Sequence, residues 1–183
     1  SAMARSLVQK ACGSEDADVH FLVGGTQTNM TVISSILRPY QGVICVRTGH
    51  INVHETGAIE HSGHKVLALE GKDGLLSAGS VREAMLEHIN EEGPEHTVQP
   101  GMVYISFSTE VGTVYTLKQL EELAAVCSEY GLPLFIDGAR MGYGLASEGC
   151  DVTLQDIARL ADVFYIGGTK QGALFGEAVV ITN

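Results

Sequence analysis

The stretch LPLFIDGAR, residues 132–140, decides the fold of this chain. Its apolar part reads as a buried strand that ends in Asp137, and the small residues Gly138 and Ala139 follow. In open parallel sheets, ligands bind just beyond the carboxyl ends of the strands. The stretch therefore predicts a parallel strand that carries a functional carboxylate at its end.

The sequence on both sides repeats the same alternation of strand and helix. An amphipathic helix is predicted over 116–130 and a second apolar strand over 163–167. Further strands are predicted over 19–23, 42–46, 64–69, 102–107 and 178–182, further helices over 26–37, 53–61 and 81–90, and a loop over 91–100. Repeated βα units of this length indicate an α/β fold, a three-layer αβα arrangement around a mostly parallel sheet.

Length, net charge and cysteine content limit the classes of protein to which this chain can belong. A length of 183 residues suits one domain, and a net charge of −11 argues against nucleic acid or an anionic membrane as partner. No apolar stretch is long enough to span a bilayer, and no signal-peptide pattern is present. The four cysteines form no Cys-x-x-Cys pair, so we expect reduced, mostly buried thiols in a cytoplasmic protein.

Two more polar groups follow predicted strands. Lys170 lies in a glycine-rich loop after the strand over 163–167, and the turn Gly24-Gly25-Thr26 joins a strand to a helix. An amine, a carboxylate and a set of free backbone amides would thus meet at one edge of the sheet. Pyridoxal phosphate requires these three groups, as imine-forming lysine, pyridinium partner and anion site.

Each of these groups also has an ordinary structural interpretation. The glycine turn can be a simple βα connection in which Thr26 caps the helix. Asp137 can cap a helix or pair with Arg140, and a single Lys170 is most often an exposed lysine. The joint occurrence in one order along the chain favours the cofactor site.

The roles of the histidines in residues 50–61 can be interpreted in several ways. His54 and His61 are spaced to share a helical face, which fits a metal site or exposed helix histidines. The order His-Glu-x-x-His of zinc proteases is absent, so we expect no metal. His50, at the end of a strand, is placed to stack on a cofactor ring.

At these residues the chain resembles the low-specificity L-threonine aldolases of the β-eliminating lyase family, which are fold-type-I pyridoxal-phosphate enzymes. The resemblance extends over residues 21–181, and its most specific segments are GGTQTN (24–29), HINVHETGA (50–58), FIDGAR (135–140) and GGTK (167–170). It implies the large cofactor-binding domain of the aminotransferase-like fold.

The resemblance also implies a role for each matched residue. Lys170 would be the Schiff-base lysine, and Asp137 would hold the pyridinium nitrogen. The remaining roles concern the cofactor and the substrate: Gly25, Thr26 and Thr169 at the phosphate, His50 stacked on the ring, Arg140 at the ring hydroxyl or the substrate carboxylate, and His54 beside the substrate. Many family members have a serine where this chain has Gly167, so the phosphate contact from this loop is expected to come from Thr169 or from the backbone.

The implied reaction cleaves a threonine-like β-hydroxy-α-amino acid into glycine and an aldehyde, with His50, His54 or a water as the base. A β-eliminating lyase, an aminotransferase or a cofactor-free α/β module remains an alternative. We expect a homo-dimer or homo-tetramer that acts on a small amino acid. We also expect residues 1–183 to be a partial large domain, without the family's N-terminal segment and small C-terminal domain.

Overall fold

The computed structural model describes all residues, 1–183, and contains one seven-stranded sheet. The strands are β1 (Asp18–Leu22), β2 (Gln41–Val46), β3 (Val66–Leu69), β4 (Gln99–Ser106), β5 (Leu134–Asp137), β6 (Val163–Gly167) and β7 (Glu177–Ile181). The helices are α1 (Ala2–Cys12), α2 (Gly25–Ile36), α3 (His50–Val53), α4 (Ala58–His61), α5 (Ala78–Asn90), α6 (Leu117–Tyr130), α7 (Met141–Leu145) and α8 (Leu154–Leu160). A 3₁₀ turn spans Pro94–His96.

The strand order is β1-β7-β6-β5-β4-β2-β3. Only β7 runs against its neighbours, because it pairs antiparallel with both β1 and β6 while every other pair is parallel. β1 therefore has the same direction as β6, and Leu22 and Gly167 both pair with Glu177. The carboxyl ends of β1, β2, β5 and β6 consequently lie at the same edge, as the sequence predicted.

Two apolar clusters cover the two faces of the sheet, which confirms the three-layer αβα arrangement. One face packs against α1, α5, α6 and α8 through residues such as Cys12, Val81, Leu123 and Ile157. The other face packs against α2, α3 and α4. The second face carries the polar site, because Asp137 accepts a hydrogen bond there from Asn29 of α2.

The long helix α6 shows why its prediction was accurate. Thr116 caps its first turn in a reciprocal capping box with Gln119, and Gly131 ends it at φ 65°. Leu120, Leu123, Val126 and Cys127 are buried, as the apolar stripe in the sequence indicates.

Several predicted elements differ from the structure. The helix predicted over 53–61 is wrong: α3 and α4 are separate single turns, since Thr56 (φ 52°) and Gly57 (φ 75°) adopt left-handed backbone that no α-helix allows. Pro100 lies in β4 and not in a loop. β1 is an edge strand with only Val19 buried, and helices α7 and α8 were not predicted.

The four cysteines are free, and three of them are buried. Burial raises the pKa of Cys12 to about 11 and the pKa values of Cys45 and Cys127 to about 12. The helices are all too short or too polar to cross a membrane.

A core truncation tests the packing of α6. Leu123→Ala removes a fully buried side chain and should lower the free energy of unfolding by about 2–5 kcal/mol. Leu7→Ala, at an exposed position of α1, should change it by less than about 1 kcal/mol. Urea denaturation of both variants measures the difference, and equal losses would contradict the assigned core.

Thiol alkylation tests the burial of the cysteines. At pH 8, half-buried Cys150 should react at least about a hundredfold faster than Cys12, Cys45 and Cys127, because burial suppresses their thiolate forms. Peptide mass spectrometry after timed exposure to iodoacetamide gives the order of labelling. Early labelling of Cys45 or Cys127 would contradict the structure.

Candidate active site

The carboxylate of Asp137 lies at the centre of the site, at the last position of β5. Its Oδ2 accepts from the Tyr104 hydroxyl at 2.6 Å and from Asn29 Nδ2 at 2.9 Å. Its Oδ1 accepts from the Tyr165 hydroxyl at 2.5 Å and from the amide of Ala139 at 2.9 Å. The bond to Ala139 is the local turn-capping contact, whereas the other three come from β4, α2 and β6.

No cation pairs with this buried carboxylate. The salt bridges of the chain do not include Asp137, so the alternative of an ion pair with Arg140 is not present. Burial, with the nearby Asp137 charge, raises the pKa values of Tyr104 and Tyr165 well above their usual range, and both hydroxyls remain protonated donors. Asp137 thus carries a negative charge that only neutral groups solvate.

A second buried acid, Glu55, connects His50 to this network. Its Oε1 accepts from His50 Nδ1 at 2.7 Å and from Asn29 Nδ2 at 2.6 Å. The amide nitrogen of Asn29 therefore donates one hydrogen to Glu55 and the other to Asp137. One side-chain amide separates two buried carboxylates.

Glu110 adds a third acid beside His50. Its Oε1 accepts from the backbone amide of His50 at 3.2 Å and from the Ser106 hydroxyl at 2.5 Å. Three buried acceptor atoms around this network have no hydrogen-bond partner, namely Asn29 Oδ1, Glu55 Oε2 and Glu110 Oε2. Unpaired buried acceptors are uncommon, and they favour a ligand or water that donates to them.

The imidazole of His50 is more basic than a free histidine. Its pKa is raised chiefly by the hydrogen bond to Glu55, with smaller contributions from the charges of Glu55 and Asp137, while burial and the charge of Lys170 oppose the rise. Because the folded-state pKa exceeds the unfolded value, the contact stabilises the fold at pH values below about 6.5 and loses that effect as the pH rises through the folded-state pKa.

Lys170 lies in the exposed loop between β6 and β7, and buried Glu177 anchors that loop. Glu177 accepts from the Gly168 amide at 2.8 Å and from the Thr169 hydroxyl at 2.7 Å. The Tyr143 hydroxyl donates to the carbonyl of Lys170 at 2.6 Å. The charge of Lys170 opposes the rise in the pKa of His50, whereas the charge of Asp137 supports it.

The glycine turn starts α2, but Thr26 does not cap it. Gly24 occupies the cap position without a side-chain hydrogen bond, and the helix begins at Gly25. The hydroxyl that bonds to the Gly24 carbonyl, at 3.0 Å, belongs to Thr28, and Thr26 is exposed. The amides of residues 25–27 have no partner within the chain, which leaves them free for an anion.

Gly25 also has a packing reason to be glycine. A Cβ at this position would lie 3.1 Å from the Tyr165 hydroxyl oxygen, which is the hydroxyl that binds Asp137. The turn and the carboxylate are thus close neighbours in space, although they are distant in sequence.

Arg140 and His54 lie at the periphery. Arg140 is half-buried, precedes α7 and forms no side-chain hydrogen bond or ion pair. The exposed ring of His54 lies 5.3 Å from the ring of His50, measured between centroids. His61 does not share a helical face with His54, because the two residues end separate helical turns.

A metal is a poor match for the acids here. Atoms of His50, Glu55 and Asp137 lie within 4.8 Å of one another. However, His50 Nδ1 already donates its hydrogen to Glu55, and this hydrogen bond links the imidazole to the network of Asn29 and Asp137. A cation would have to break that network before it could bind.

Sequence reasoning missed the residues that hold the network together. Asn29 and Glu55 lie inside segments that had been singled out, yet neither was assigned a role. Tyr104 and Tyr165 looked like ordinary apolar strand positions. The available signal was alternation: both tyrosines point to the same face of the sheet as Asp137.

The site fits pyridoxal phosphate. Asp137 has no counter-cation, which a pyridinium ring would supply, and the free amides of α2 suit a phosphate. The amine of Lys170 is exposed and forms no ion pair. Both oxygens of Asp137 already accept two bonds each, so a ring nitrogen would share or replace one of the four donors.

Comparison with known proteins agrees with this geometry. The sequence model of the family described as "Beta-eliminating lyase" matches residues 3–183. A low-specificity L-threonine aldolase from a Pseudomonas species is 36% identical over 92% of this chain and 48% of its own length. The enzyme of the same name from Saccharomyces cerevisiae is 27% identical over 87% of this chain and 41% of its own length.

Solved structures give the same result. The structure of a Leishmania major threonine aldolase superposes with a TM-score of 0.94 at 51% identity and covers 100% of this chain and 52% of that one. An aspartate aminotransferase from Thermus thermophilus (TM-score 0.74, 19% identity, 98% of this chain and 45% of that one) shares the fold. The chain spans about half the length of the curated relatives it matches. The chain belongs to the β-eliminating lyase family and has the aminotransferase-like fold.

Proposed function

We propose that the protein is a pyridoxal-phosphate-dependent aldolase that cleaves threonine-like β-hydroxy-α-amino acids into glycine and an aldehyde. The observation that carries the proposal is the buried carboxylate of Asp137 at the end of β5, which has no counter-cation and lies close to His50. Lys170 follows the neighbouring strand β6. The similarity to threonine aldolases supports this reaction over the others that the fold allows.

The residues that would hold the cofactor come from four elements. Asp137 would accept a hydrogen bond from the ring nitrogen, and His50 would lie on the ring face. The free amides at the start of α2, including those of Gly25 and Thr26, would bind the phosphate. Thr169 would contribute its backbone amide, because its hydroxyl already donates to Glu177. When bound, the cofactor supplies an electron sink for the electron pair of the broken Cα–Cβ bond.

The protein's own contribution is to orient the substrate and to move a proton. With Nδ1 engaged by Glu55, His50 has Nε2 free to accept the β-hydroxyl proton as that oxygen becomes the aldehyde carbonyl. His54, whose ring lies next to His50, or a water is the alternative base. Arg140 has no partner in the chain, and its guanidinium suits the substrate carboxylate or the ring hydroxyl.

We further propose that the protein is cytoplasmic and that residues 1–183 form the large domain of a longer enzyme. We also propose that this enzyme works as a homo-dimer or homo-tetramer. Exposed apolar side chains in the loop between β6 and β7, which also carries Lys170 and is called the lysine loop here, support an oligomer. Leu174 is 95% exposed and Phe175 is 69% exposed. Surfaces of this kind mark interfaces. Light scattering on the full-length protein measures the assembly, and a monomer at micromolar concentration would contradict it.

The role of Lys170 is tested by substitution. With pyridoxal phosphate and threonine supplied, Lys170→Ala should reduce acetaldehyde release at least about a hundredfold, since the covalent anchor is lost. Lys118→Ala, which removes an exposed lysine from α6, should leave the rate unchanged. A coupled aldehyde assay measures both variants and the unaltered protein, and similar rates for all three would contradict the proposal.

The product distinguishes this function from its alternatives. Pyruvate or another keto acid without aldehyde would indicate an eliminating lyase or an aminotransferase on the same fold. Protein that stays colourless after incubation with pyridoxal phosphate would indicate a cofactor-free module.

A further inference from the structure

The proposed base, His50, is held at Nδ1 by a buried acid, Glu55, that takes no direct part in the proposed reaction. The side chain of Glu55 has no exposed surface, and it lies in the turn between α3 and α4. The left-handed conformation of the next two residues, Thr56 and Gly57, interrupts the helical backbone between α3 and α4. A non-glycine residue with positive φ is uncommon, which indicates that the position of this turn matters.

Burial of this carboxylate needs compensation. Removing an ionised carboxylate from water is expensive unless donors or a cation replace the water. Glu55 receives two donors, at 2.7 Å from His50 Nδ1 and at 2.6 Å from Asn29 Nδ2, and its Oε2 receives none. His50 is the only hydrogen-bond partner of Glu55 that can become a cation, so the two side chains form one unit.

The contact fixes which nitrogen of His50 carries the proton. A carboxylate can only accept, so Nδ1 must donate to it, and in the neutral imidazole Nε2 then carries the free lone pair. Asn29 prevents Glu55 from turning toward other donors, because its amide is itself held by Asp137 at 2.9 Å. Three side chains linked by hydrogen bonds therefore restrain the ring of His50, namely Glu55, Asn29 and Asp137.

The other charged groups that face His50 have separate roles. Asp137 and Lys170 act on the imidazole through space in opposite senses, and Glu110 accepts from its backbone amide. Only Glu55 contacts a ring nitrogen. A change at Glu55 therefore alters the one contact to a ring nitrogen, together with the hydrogen bond that Glu55 accepts from Asn29.

We propose that Glu55 is a positioning residue, which fixes the imidazole of His50 in one orientation and one tautomer so that Nε2 is the atom that exchanges a proton with the substrate. The inference rests on the proposed function, because it assigns Glu55 to the proton transfer of that reaction. Glu55 itself touches neither cofactor nor substrate in this role.

The test compares two isosteric variants of the full chain. Glu55→Gln removes the charge and keeps the shape, and Glu60→Gln makes the same change at an exposed position of α4. Nitrogen NMR of labelled histidines, measured without cofactor, gives the pKa and the tautomer of His50, with His50→Asn to assign the signal. We expect Glu55→Gln to lower the pKa of His50 by about one unit and to mix its tautomers, while Glu60→Gln changes neither.

The pH dependence of aldehyde release should shift in the same direction as the pKa of His50. A general base works when it is deprotonated, so a lower pKa should move the acidic limb of the kcat/KM profile of Glu55→Gln to lower pH by about one unit. A weaker base should also reduce the plateau rate by about tenfold. The profile of Glu60→Gln should match that of the unaltered enzyme.

Two results would overturn the inference. An unchanged pKa and tautomer of His50 in Glu55→Gln would show that Glu55 does not govern the ring. A shifted pKa with an unchanged rate profile would show that the contact has no role in the reaction. If Glu55→Gln fails to fold, Glu55→Asp, which draws the carboxylate back by about one bond length, must show the same downward shift of the His50 pKa for the inference to stand.

The proposed function fails by a different result. An unaltered enzyme that binds pyridoxal phosphate but releases no aldehyde would refute the aldolase reaction. The NMR measurement does not depend on activity, so it would still report whether Glu55 controls His50.

Discussion

The structure depends on a buried negative charge at the end of β5 that no protein cation neutralises. The cost of burying the Asp137 carboxylate is offset because two tyrosine hydroxyls, one side-chain amide and one backbone amide donate hydrogen bonds to it. These donors come from β4, α2 and β6 and from the turn after β5. The elements around the site are therefore held together by a charge that, in the proposed function, would also pair with a cationic ring.

Hydrogen bonds from neutral donors also explain how a second acid, Glu55, can be buried nearby. Asn29 offers two hydrogens from one nitrogen and gives one to each of two buried carboxylates, Asp137 and Glu55. Without it the two acids would face each other in a medium of low dielectric constant, where like charges repel strongly. The imidazole of His50 completes the chain through its contact with Glu55, and in the proposed reaction it is the group that exchanges a proton with the substrate. The hydrogen bonds that stabilise the buried acids are thus the same ones that the proposed reaction would use.

Much of the fold could be predicted from the sequence, because apolar periodicity and strand-end polar groups are local features. Helix α6, bounded by a capping box and a glycine, and the strand that ends in Asp137 were predicted nearly to the residue. The segment after His50 could not be predicted, since its helical spacing conceals a left-handed turn at Thr56 and Gly57. The antiparallel direction of β7 was also missed, because direction depends on the partner strands and not on the strand's own residues.

By itself, the sequence determined which chemical groups are present and where they stand along the chain: an acid after one strand, an amine after another and free amides at the start of a helix. Only the tertiary structure decided which neutral side chains surround the acid, because Asn29 and Asp137 are 108 residues apart and meet through packing of α2 on the sheet. It also decided that His50 is bound by Glu55 and that the lysine loop is anchored by Glu177. Hydrogen bonds between distant residues depend on distances of a few tenths of an ångström, and no local pattern in a sequence encodes them.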